Sequence, residues 1–359
     1  MQFEVADFDE ANELYHRNGW TDGLPIVPPT PEKVARFLDA AGLAPDARIG
    51  FYDERRIPVL AGKLAVNAVM AGCLSDYFPV VVAIIDAMLD PDFPTHVVNS
   101  STGSFTIGWF VNGPIRHALG MNGHGNVLGP GNRANSTIGR AVRLIQLNVL
   151  GSIPGAGGPE PDHGRAVLDR SMMGQPAKYA GYHVIENEEA FPSLTPLHVE
   201  LGHAPDDSTV TLMMVSGYHW ICAHAEQTPQ AWIDTMAHYA VHSGMLVEKG
   251  ATALLLPPEN AALFAAAGWT KADIREALCE KTRRTIAWLK RDGWKVQWQR
   301  ARLEAVQPGD EERFVAMAGS PTPRDFPVVV CGGPAGSWPY YLFGGGPMGT
   351  VTRGIGAAG

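Results

Sequence analysis

The chain has 359 residues, of which 45% are hydrophobic, and it carries a formal net charge of -9 at neutral pH. This length allows two domains or one large one, with enough apolar surface for a substantial core. Only 28 residues are lysine or arginine, which argues against a basic surface for nucleic acid or a polybasic membrane patch. We therefore expect neither nucleic acid nor a membrane as a partner.

The N-terminal sequence is acidic and lacks the basic and apolar regions of a signal peptide. The longest apolar stretch, residues 78–89, is too short to span a bilayer. We expect a cytoplasmic homo-oligomer. The cysteines form no C-x-x-C pair, which argues against a disulfide framework and a cysteine zinc site; they are Cys73, Cys222, Cys279 and Cys331.

The first part of the chain reads as helices separated by a stiff loop. Residues 6–17 have helical spacing, residues 19–29 form a proline-rich loop, and Thr30 begins a second helix as an N-cap before a proline. Residues 62–89 predict two buried helices with a break near Ser75. Residues 97–102 predict a strand that runs into a small polar loop.

Further along, a glycine-rich loop at residues 122–135 leads into a helix, whose N-cap we place at Asn135 or Ser136. Predicted strands then alternate with helices, which favours an α/β class with mixed or parallel sheets covered by helices. The Gly/Pro stretch at 151–163 predicts a domain boundary or a mobile flap. A boundary there gives an N-terminal helical and glycine-loop region, 1–155, and a C-terminal α/β region, 156–359; one intertwined domain is the alternative. The strands are expected at 209–216, 251–256 and 326–331, and the helices at 228–242, 258–267 and from Thr270.

A Gly-Trp pair recurs at residues 19–20, 268–269 and 293–294. We interpret it as one local device, a glycine that ends a helix and a tryptophan that packs back on it.

The glycine-rich loop has the parts of an anion site. Glycines let backbone N–H groups approach a ligand, and a helix N-terminus favours negative charge. An arginine adds a two-pronged partner for carboxylate or phosphate. The loop is neither a P-loop nor a dinucleotide fingerprint, because the spacing fails. The residues predicted to bind substrate are Gly129, Gly131, Arg133 and Asn135, with Thr102 and Ser104 from the second polar loop.

Acid/base groups are densest between residues 186 and 203. Glu186 and Glu188 would share one face of an extended segment, as would His198 and Glu200. A histidine beside a carboxylate is a common general acid/base pair, and closely spaced carboxylates favour a raised pKa in one of them. The alternative is a charged surface loop.

Two further groups of residues could serve a metal site or a nucleophilic thiol. Asp234, His238 and His242 share one stripe of a predicted helix, and a metal site there would be completed by His198, Glu200 and His203. A polar stripe on a helix is more often its solvated face, so we assign no metal and leave the cofactor open. Cys331 ends a strand before two glycines, which suits a nucleophilic thiol, although a buried cysteine is more often inert packing.

Several stretches of the chain match one known family. They are residues 19–30, 112–116, 129–141, 186–190 with 197–200, and 268–273. Together they resemble an uncharacterised bacterial family associated with the UGSC (seleno)proteins. The resemblance implies that these loops belong to one scaffold, and it names no reaction. The chain has no Cys-Gly-Ser-Cys, and its nearest counterpart is the Cys-Gly-Gly-Pro that begins at Cys331.

The sequence favours an enzyme, an acid/base lyase or hydrolase that acts on a small carboxylate-bearing organic substrate. In this hypothesis the loop with Arg133 holds the anion, Glu186 or Glu188 is the acid/base, and His198 with Glu200 forms a second proton relay. Two alternatives stay open. One is a redox or transfer enzyme that depends on Cys331, and the other is a non-catalytic ligand-binding subunit of a larger complex.

Overall fold

The structure is a computed structural model that describes residues 3–155, 168–222, 226–242, 251–291, 309–316, 320–334, 336–344 and 348–356. It has an α/β fold in which helices accompany two four-stranded mixed sheets. The chain divides into two compact units, each built from separate stretches. The first unit is Met1–Ile185, Ala204–Met214 and Val351–Gly359, and the second is Glu186–His203 and Val215–Thr350.

The first unit combines seven described helices with a four-stranded sheet and a hairpin. The helices are α1 (Phe8–Arg17), α2 (Pro31–Ala41), α3 (Ala61–Met70), α4 (Phe78–Met88), α5 (Thr95–Ser100), α6 (Ile115–Ala118) and α7 (Arg133–Asn148). The hairpin pairs β1 (Arg48–Tyr52) with β2 (Ile57–Leu60). The sheet contains β3 (Thr106–Asn112), β4 (Tyr182–Ile185), β5 (Thr209–Val215) and β12 (Val351–Gly354), in the order β12, β5, β3, β4. β3 and β4 are parallel, and β12 and β5 are antiparallel.

Local capping and apolar burial explain why these helices form. The side chains of Asp7, Thr30 and Asn132 each accept a hydrogen bond from a backbone N–H in the first turn of α1, α2 and α7. α4 is apolar almost all round and its side chains are mostly buried, as expected of a helix inside a core. One continuous hydrophobic cluster links α2, α3, α4 and α7 to the sheet.

The second unit has its own core and its own sheet. Its helices are α8 (Leu197–Glu200), α9 (Pro229–His242), α10 (Pro258–Ala266), α11 (Lys271–Lys281) and α12 (Ile286–Arg291). The sheet contains β6 (Gly217–Trp220), β7 (Thr252–Leu256), β10 (Val328–Val330) and β11 (Tyr340–Phe343), in the order β10, β7, β11, β6. β10 and β7 are parallel, whereas β11 is antiparallel to both β7 and β6. A small ladder pairs β8 (Arg283–Thr285) with β9 (Phe314–Ala316).

Most sequence predictions of the elements are confirmed, including the two buried helices, the helix that begins after Thr30 and the box that opens α11. In that box Thr270 and Asp273 cap each other's backbone groups.

The predicted boundary at residue 155 differs from the observed division, because the first unit continues to Ile185 and takes two later stretches. Much of the 151–163 stretch lies outside the described residues.

Three local predictions are corrected. Residues 95–100 form α5 instead of a strand, because the Thr95 hydroxyl bonds to the carbonyl of Met88 and Ser100 bonds back to His96. The N-cap of α7 is Asn132, three residues before the predicted Asn135. His198 and Glu200 lie in the helical turn α8 instead of an extended segment, so they do not share a face in the predicted way.

The Gly-Trp device is confirmed at its first two positions. Gly19 and Gly268 adopt left-handed φ values of 62° and 76° just after α1 and α10. The backbone N–H of each following tryptophan bonds to a carbonyl five residues earlier. The Trp20 ring lies 5.5 Å from Tyr15, and the Trp269 ring lies 5.6 Å from Phe264. The third pair, at residues 293–294, lies outside the described residues.

Within the described ranges, none of the helices combines the length and the apolar character needed to cross a bilayer.

Candidate active site

The predicted acid/base group Glu186 is part of a buried ion pair. Its Oε1 lies 2.6 Å from Nζ of Lys271, and each side chain is only 1% exposed. The other carboxylate oxygen accepts the backbone N–H of Leu197, so Glu186 also caps the entry to α8. Lys271 is the first residue of α11, directly after the capping residue Thr270. This arrangement holds Glu186 as a structural anion.

The neighbouring predicted residues are paired in the same unit. Arg275, one turn further along α11, donates to both carboxylate oxygens of Glu200, with the shorter contact at 2.5 Å. His198 is fully buried, and its Nδ1 lies 4.0 Å from a carboxylate oxygen of Glu188. The structure therefore brings the predicted acidic residues together with two cations that sequence reasoning missed. The sequence feature that could have pointed to these two cations is the segment around Thr270, which contains the capping box and one of the stretches of the family resemblance.

Cys331 follows β10 and is buried beside this ion pair. The pKa of the Cys331 thiol is raised to about 12, mainly by burial and also by the Glu186 charge, with Lys271 opposing part of the rise. A thiol with so high a pKa is protonated at neutral pH, and the thiol form is a poor nucleophile. This environment weakens the hypothesis of a Cys331-dependent enzyme.

The candidate metal ligands on α9 are described only in part. Asp234 pairs with Lys281 at 2.7 Å on the protein surface. The side chain of His242 lies outside the described residues. Among the residues that the structure does describe, no three histidine, cysteine or carboxylate side chains are placed to hold one metal ion.

The glycine-rich loop of the first unit is fixed by its own asparagines. The buried amide of Asn135 accepts the backbone N–H of Asn122 and donates to the Asn122 carbonyl. Arg133 is exposed and donates twice to the carbonyl of Gly72. Gly129 packs so closely against Asn126 that a side chain there would clash, and Gly131 is exposed with a φ of 121°. The surface depression along this loop has a volume of about 440 Å³ and is lined by glycines, a proline, three asparagines, Met121 and His124.

The second predicted polar loop runs beside a different segment. The carbonyl of Thr102 accepts the N–H of Met172, and the carbonyl of Ser104 accepts the side-chain amide of Gln175. Residues 100–104 therefore line up along residues 170–175 through their backbone groups.

A charged cavity lies elsewhere in the first unit. The cavity has a volume of about 400 Å³, within the range of small-molecule sites. It is bounded by the loop after α1, by one face of α7 and by the short 3₁₀ turn Pro176–Lys178. The polar side chains that line it are His16, Thr21, Asp22, Arg143, Lys178 and Tyr179.

Each carboxylate at the cavity is met by a cation. Arg140 binds Asp22 through two parallel contacts of 2.9 Å. Lys178 Nζ lies 2.8 and 2.7 Å from the two oxygens of Asp169, which borders the cavity. A third cation, Arg143, reaches Asp169 only at 3.7 Å. Among the described residues, this cluster therefore has three cations for two carboxylates.

The pKa values follow from burial and from these pairs. Burial alone would raise the pKa of the Asp22 carboxyl, but the hydrogen bonds and charge of Arg140 outweigh it and the pKa is lowered. The pKa of Asp169 is lowered in the same way, since Lys178 and Ser171 outweigh its burial. The pKa of Lys178 is lowered, because burial and, to a smaller extent, the charge of Arg143 together outweigh the raising effect of Asp169. The neutral amine is therefore more accessible for Lys178 than for an exposed lysine.

None of the cavity's charged residues was among the predicted site residues. Asp22 and Arg140 do fall in the stretches that carry the family resemblance, and Arg143 follows Arg140 by three residues on the same helix. Two arginines at that spacing on the face of α7 were the available signal.

Comparison with known proteins finds one family model, described as "Putative ATPase subunit of terminase (gpP-like)", over residues 259–307. The match covers a small part of the chain, and the structure describes residues 259–291 of it, where α10, the Trp269 turn and α11 form two successive helices. The sequence contains no Gly-Lys-Ser or Gly-Lys-Thr of a P-loop. No curated protein and no solved structure matches the chain.

Proposed function

We propose that this protein is an enzyme that binds a small carboxylate-bearing substrate in the charged cavity and acts on it by acid/base chemistry of the lyase or hydrolase type. The proposal keeps the reaction class expected from the sequence and moves the anion site from the glycine-rich loop to the cavity of the first unit. The observation that supports it is that the Arg143 guanidinium lines the cavity and donates no hydrogen bond within the described part of the chain.

Arg143 lines the cavity with a side chain that is only 13% exposed. Within the described part of the chain it donates no hydrogen bond, and its one ion pair is the 3.7 Å contact with Asp169. A guanidinium has five N–H donors and stays charged at any ordinary pH. A largely buried arginine with donors to spare is suited to bind an anion that enters the cavity.

The shape of the guanidinium favours a carboxylate. Its planar fork can place two parallel hydrogen bonds on the two oxygens of one carboxylate. Lys178 also contacts Asp169 and lines the same cavity, so it adds a second positive charge there. Together they supply the field that holds a small anion against the partly buried cavity wall.

The acid/base groups in this proposal are those that face the same space. Lys178 has a pKa lowered by burial, which brings it closer to neutral pH than an exposed lysine. His16 also lines the cavity and is half-buried, and an imidazole is the side chain best suited to exchange protons near neutral pH. Glu186 and Glu200, by contrast, are held by Lys271 and Arg275 in the second unit.

The test is calorimetric titration of the full chain with oxalate, malonate, pyruvate, succinate and citrate. Arg143→Gln is expected to weaken binding of the best ligand by roughly tenfold or more, because a charged hydrogen bond is lost. Arg283→Gln, which removes an exposed arginine, is the matched control. Proton NMR of each ligand that binds then shows whether it is converted, which separates an enzyme from a binding subunit.

Arg133→Gln decides between the two anion sites on α7. A loss of binding in Arg133→Gln with none in Arg143→Gln would return the site to the glycine-rich loop and overturn the cavity assignment. Binding that neither variant weakens would overturn both assignments. Conversion that stops in Glu188→Gln and continues in Arg143→Gln would move the chemistry to the second unit.

A further inference from the structure

The amine of Lys178 occupies a cluster that can handle protons. Its Nζ contacts both oxygens of Asp169 and lies 2.5 Å from the hydroxyl oxygen of Ser171. That hydroxyl in turn lies 2.6 Å from Oδ1 of Asp169, so the three groups form a closed ring of hydrogen bonds. The Lys178 side chain is 14% exposed and lines the cavity.

Arg143 and Lys178 converge on a single atom. Both side chains reach Oδ2 of Asp169, Lys178 at 2.7 Å and Arg143 at 3.7 Å. The two cationic nitrogens are therefore separated by no more than those two distances together. That separation is short enough for one small molecule in the cavity to reach both side chains.

We propose that the cavity takes a 2-oxo carboxylate and that Lys178 condenses with its carbonyl to form an imine while Arg143 holds its carboxylate. This inference rests on the proposed function and names the substrate class for the same site. It makes Lys178 a catalytic residue and Asp169 and Ser171 its proton partners.

The surroundings of Lys178 favour a nucleophilic amine. A lysine attacks a carbonyl only when it is neutral, and burial or a neighbouring cation makes that form accessible. Burial lowers the pKa of Lys178, and the neighbouring Arg143 acts in the same direction, against the opposing effect of Asp169. Ser171 and Asp169 are in direct contact with Nζ and can relay protons as the amine reacts.

The condensation balances without any further reagent. The nitrogen of Lys178 bonds to the carbonyl carbon, and the carbon–oxygen bond breaks. Two of the three ammonium protons leave with that oxygen as water, and the third stays on the nitrogen of the resulting iminium. The iminium can then accept an electron pair from a bond at the adjacent carbon, which is the step that a lyase requires.

The experiment traps the imine by reduction. The full-length protein is incubated with pyruvate and sodium cyanoborohydride, digested, and the peptides are analysed by mass spectrometry. Hydride addition to the imine carbon leaves a stable secondary amine, so we expect the reduced pyruvate adduct on Lys178. The exposed Lys281 measures non-specific modification in the same sample. Excess oxalate, which has carboxylates and no ketone, is expected to suppress the adduct on Lys178 and leave Lys281 unchanged.

Two variants sharpen the result. Lys178→Arg keeps the positive charge and should abolish the adduct at this position, with the labelling of Lys281 unchanged. Arg143→Gln keeps the amine and should reduce labelling of Lys178 by roughly tenfold or more, in proportion to the lost affinity. The labelled position in the wild-type protein does not depend on the folding of either variant.

The outcomes separate the two proposals. Wild-type protein that binds pyruvate in calorimetry and gives no more adduct on Lys178 than on Lys281 overturns the imine and leaves the carboxylate site standing. Adduct formation on Lys178 that excess oxalate and Arg143→Gln leave unchanged overturns the placement of the carboxylate on Arg143. Protein that binds no small carboxylate overturns both.

Discussion

The carboxylate of Glu186 and the ammonium of Lys271 form a 2.6 Å ion pair between residues that are 85 positions apart in the chain. The pair joins the start of the Glu186–His203 stretch to the first turn of α11. Two charges removed from water at this depth are tolerated because each satisfies the other. This ion pair gives Glu186, which lies in the densest acidic segment of the sequence, a structural role in the second unit.

Removing one partner of this pair should destabilise the protein strongly. Lys271→Met leaves the Glu186 carboxylate buried without its cation, and we expect a loss of about 3 to 5 kcal/mol in the free energy of unfolding. The double variant Glu186→Gln with Lys271→Met should lose less than the sum of the two single changes. Urea unfolding followed by circular dichroism measures these differences.

Lys281→Met is the matched control, because Lys281 is at the other end of α11 and its pair with Asp234 is 48% and 46% exposed. An exposed pair of this kind contributes about 0 to 1 kcal/mol. Equal effects of the Lys271 and Lys281 variants would show that burial does not set the strength of the Glu186 pair.

The four cysteines should differ sharply in reactivity. Cys222 is exposed, whereas Cys73, Cys279 and Cys331 are buried with thiol pKa values raised to about 12. Only Cys222 is expected to react with iodoacetamide in native protein near pH 8, because alkylation needs an accessible thiolate. Mass spectrometry of the digested protein locates the label, and denatured protein is the control in which all four should react. Native labelling of Cys331 as fast as Cys222 would restore the thiol hypothesis.

Local sequence signals predicted much of the fold correctly. Thr30 before a proline and Thr270 before Asp273 are caps whose chemistry is complete within four residues, so the sequence alone identifies where α2 and α11 begin. The strand expected at residues 97–102 failed for the opposite reason. β-branched residues there favour extended backbone, but the helical turn is held by Thr95, which bonds to a carbonyl at the end of α4.

The candidate site was harder to predict because its parts are distant in sequence. Asp22, Arg143 and Lys178 come from a loop, a helix and a 3₁₀ turn that only the folded chain brings together. The same limit applies to the acidic cluster. Glu186 and Glu200 gave a dense pattern in the sequence, and nothing local revealed that Lys271 and Arg275 would neutralise them.

Gly139 in α7 should resist the substitution that normally strengthens a helix. Alanine is favoured over glycine in a helix interior by about 1 kcal/mol. A Cβ at Gly139 would, however, lie 2.0 Å from the backbone carbonyl oxygen of Ala180. Because backbone cannot move aside as a side chain can, we expect Gly139→Ala to lower the free energy of unfolding by about 1 to 3 kcal/mol. Arg143 is one turn further along α7, so carboxylate binding should weaken as well.

Gly217→Ala is the control for added bulk, since nothing lies within 4 Å of the new methyl group and the backbone is not left-handed. Its effect should stay within about 0.5 kcal/mol. Thermal and urea unfolding of the two variants provide the comparison. A Gly139→Ala protein that is more stable than wild type would mean that α7 and residue 180 are not in close contact.

The ion pair between Arg140 and Asp22 predicts a specific pH dependence of stability. The pKa of Asp22 is lowered in the folded protein, because Arg140 outweighs the burial that alone would raise it. A carboxyl of this kind stabilises the fold above its unfolded pKa of about 3.9, and the stabilisation is lost as the pH falls through the lowered folded value. In Arg140→Gln only the hydrogen bonds from Leu24 and Thr21 still oppose the effect of burial, so the pKa of Asp22 should rise relative to its value in the wild-type fold. That variant should be most destabilised near neutral pH and should gain relative to wild type as the pH falls.

The free energy of unfolding in urea, measured for both proteins from neutral pH down to about pH 3, tests this sign, because acid unfolding follows such differences in protonation. The gap between wild type and Arg140→Gln should narrow as Asp22 becomes protonated in both. Arg283→Gln is the control, since the pair of Arg283 with Glu280 is exposed and its loss should give a small difference at every pH. The difference in the free energy of unfolding between the two proteins could instead stay constant as the pH falls. That result would mean that Arg140 stabilises the loop after α1 through its hydrogen bonds to the Leu24 and Pro25 carbonyls, with Asp22 contributing little.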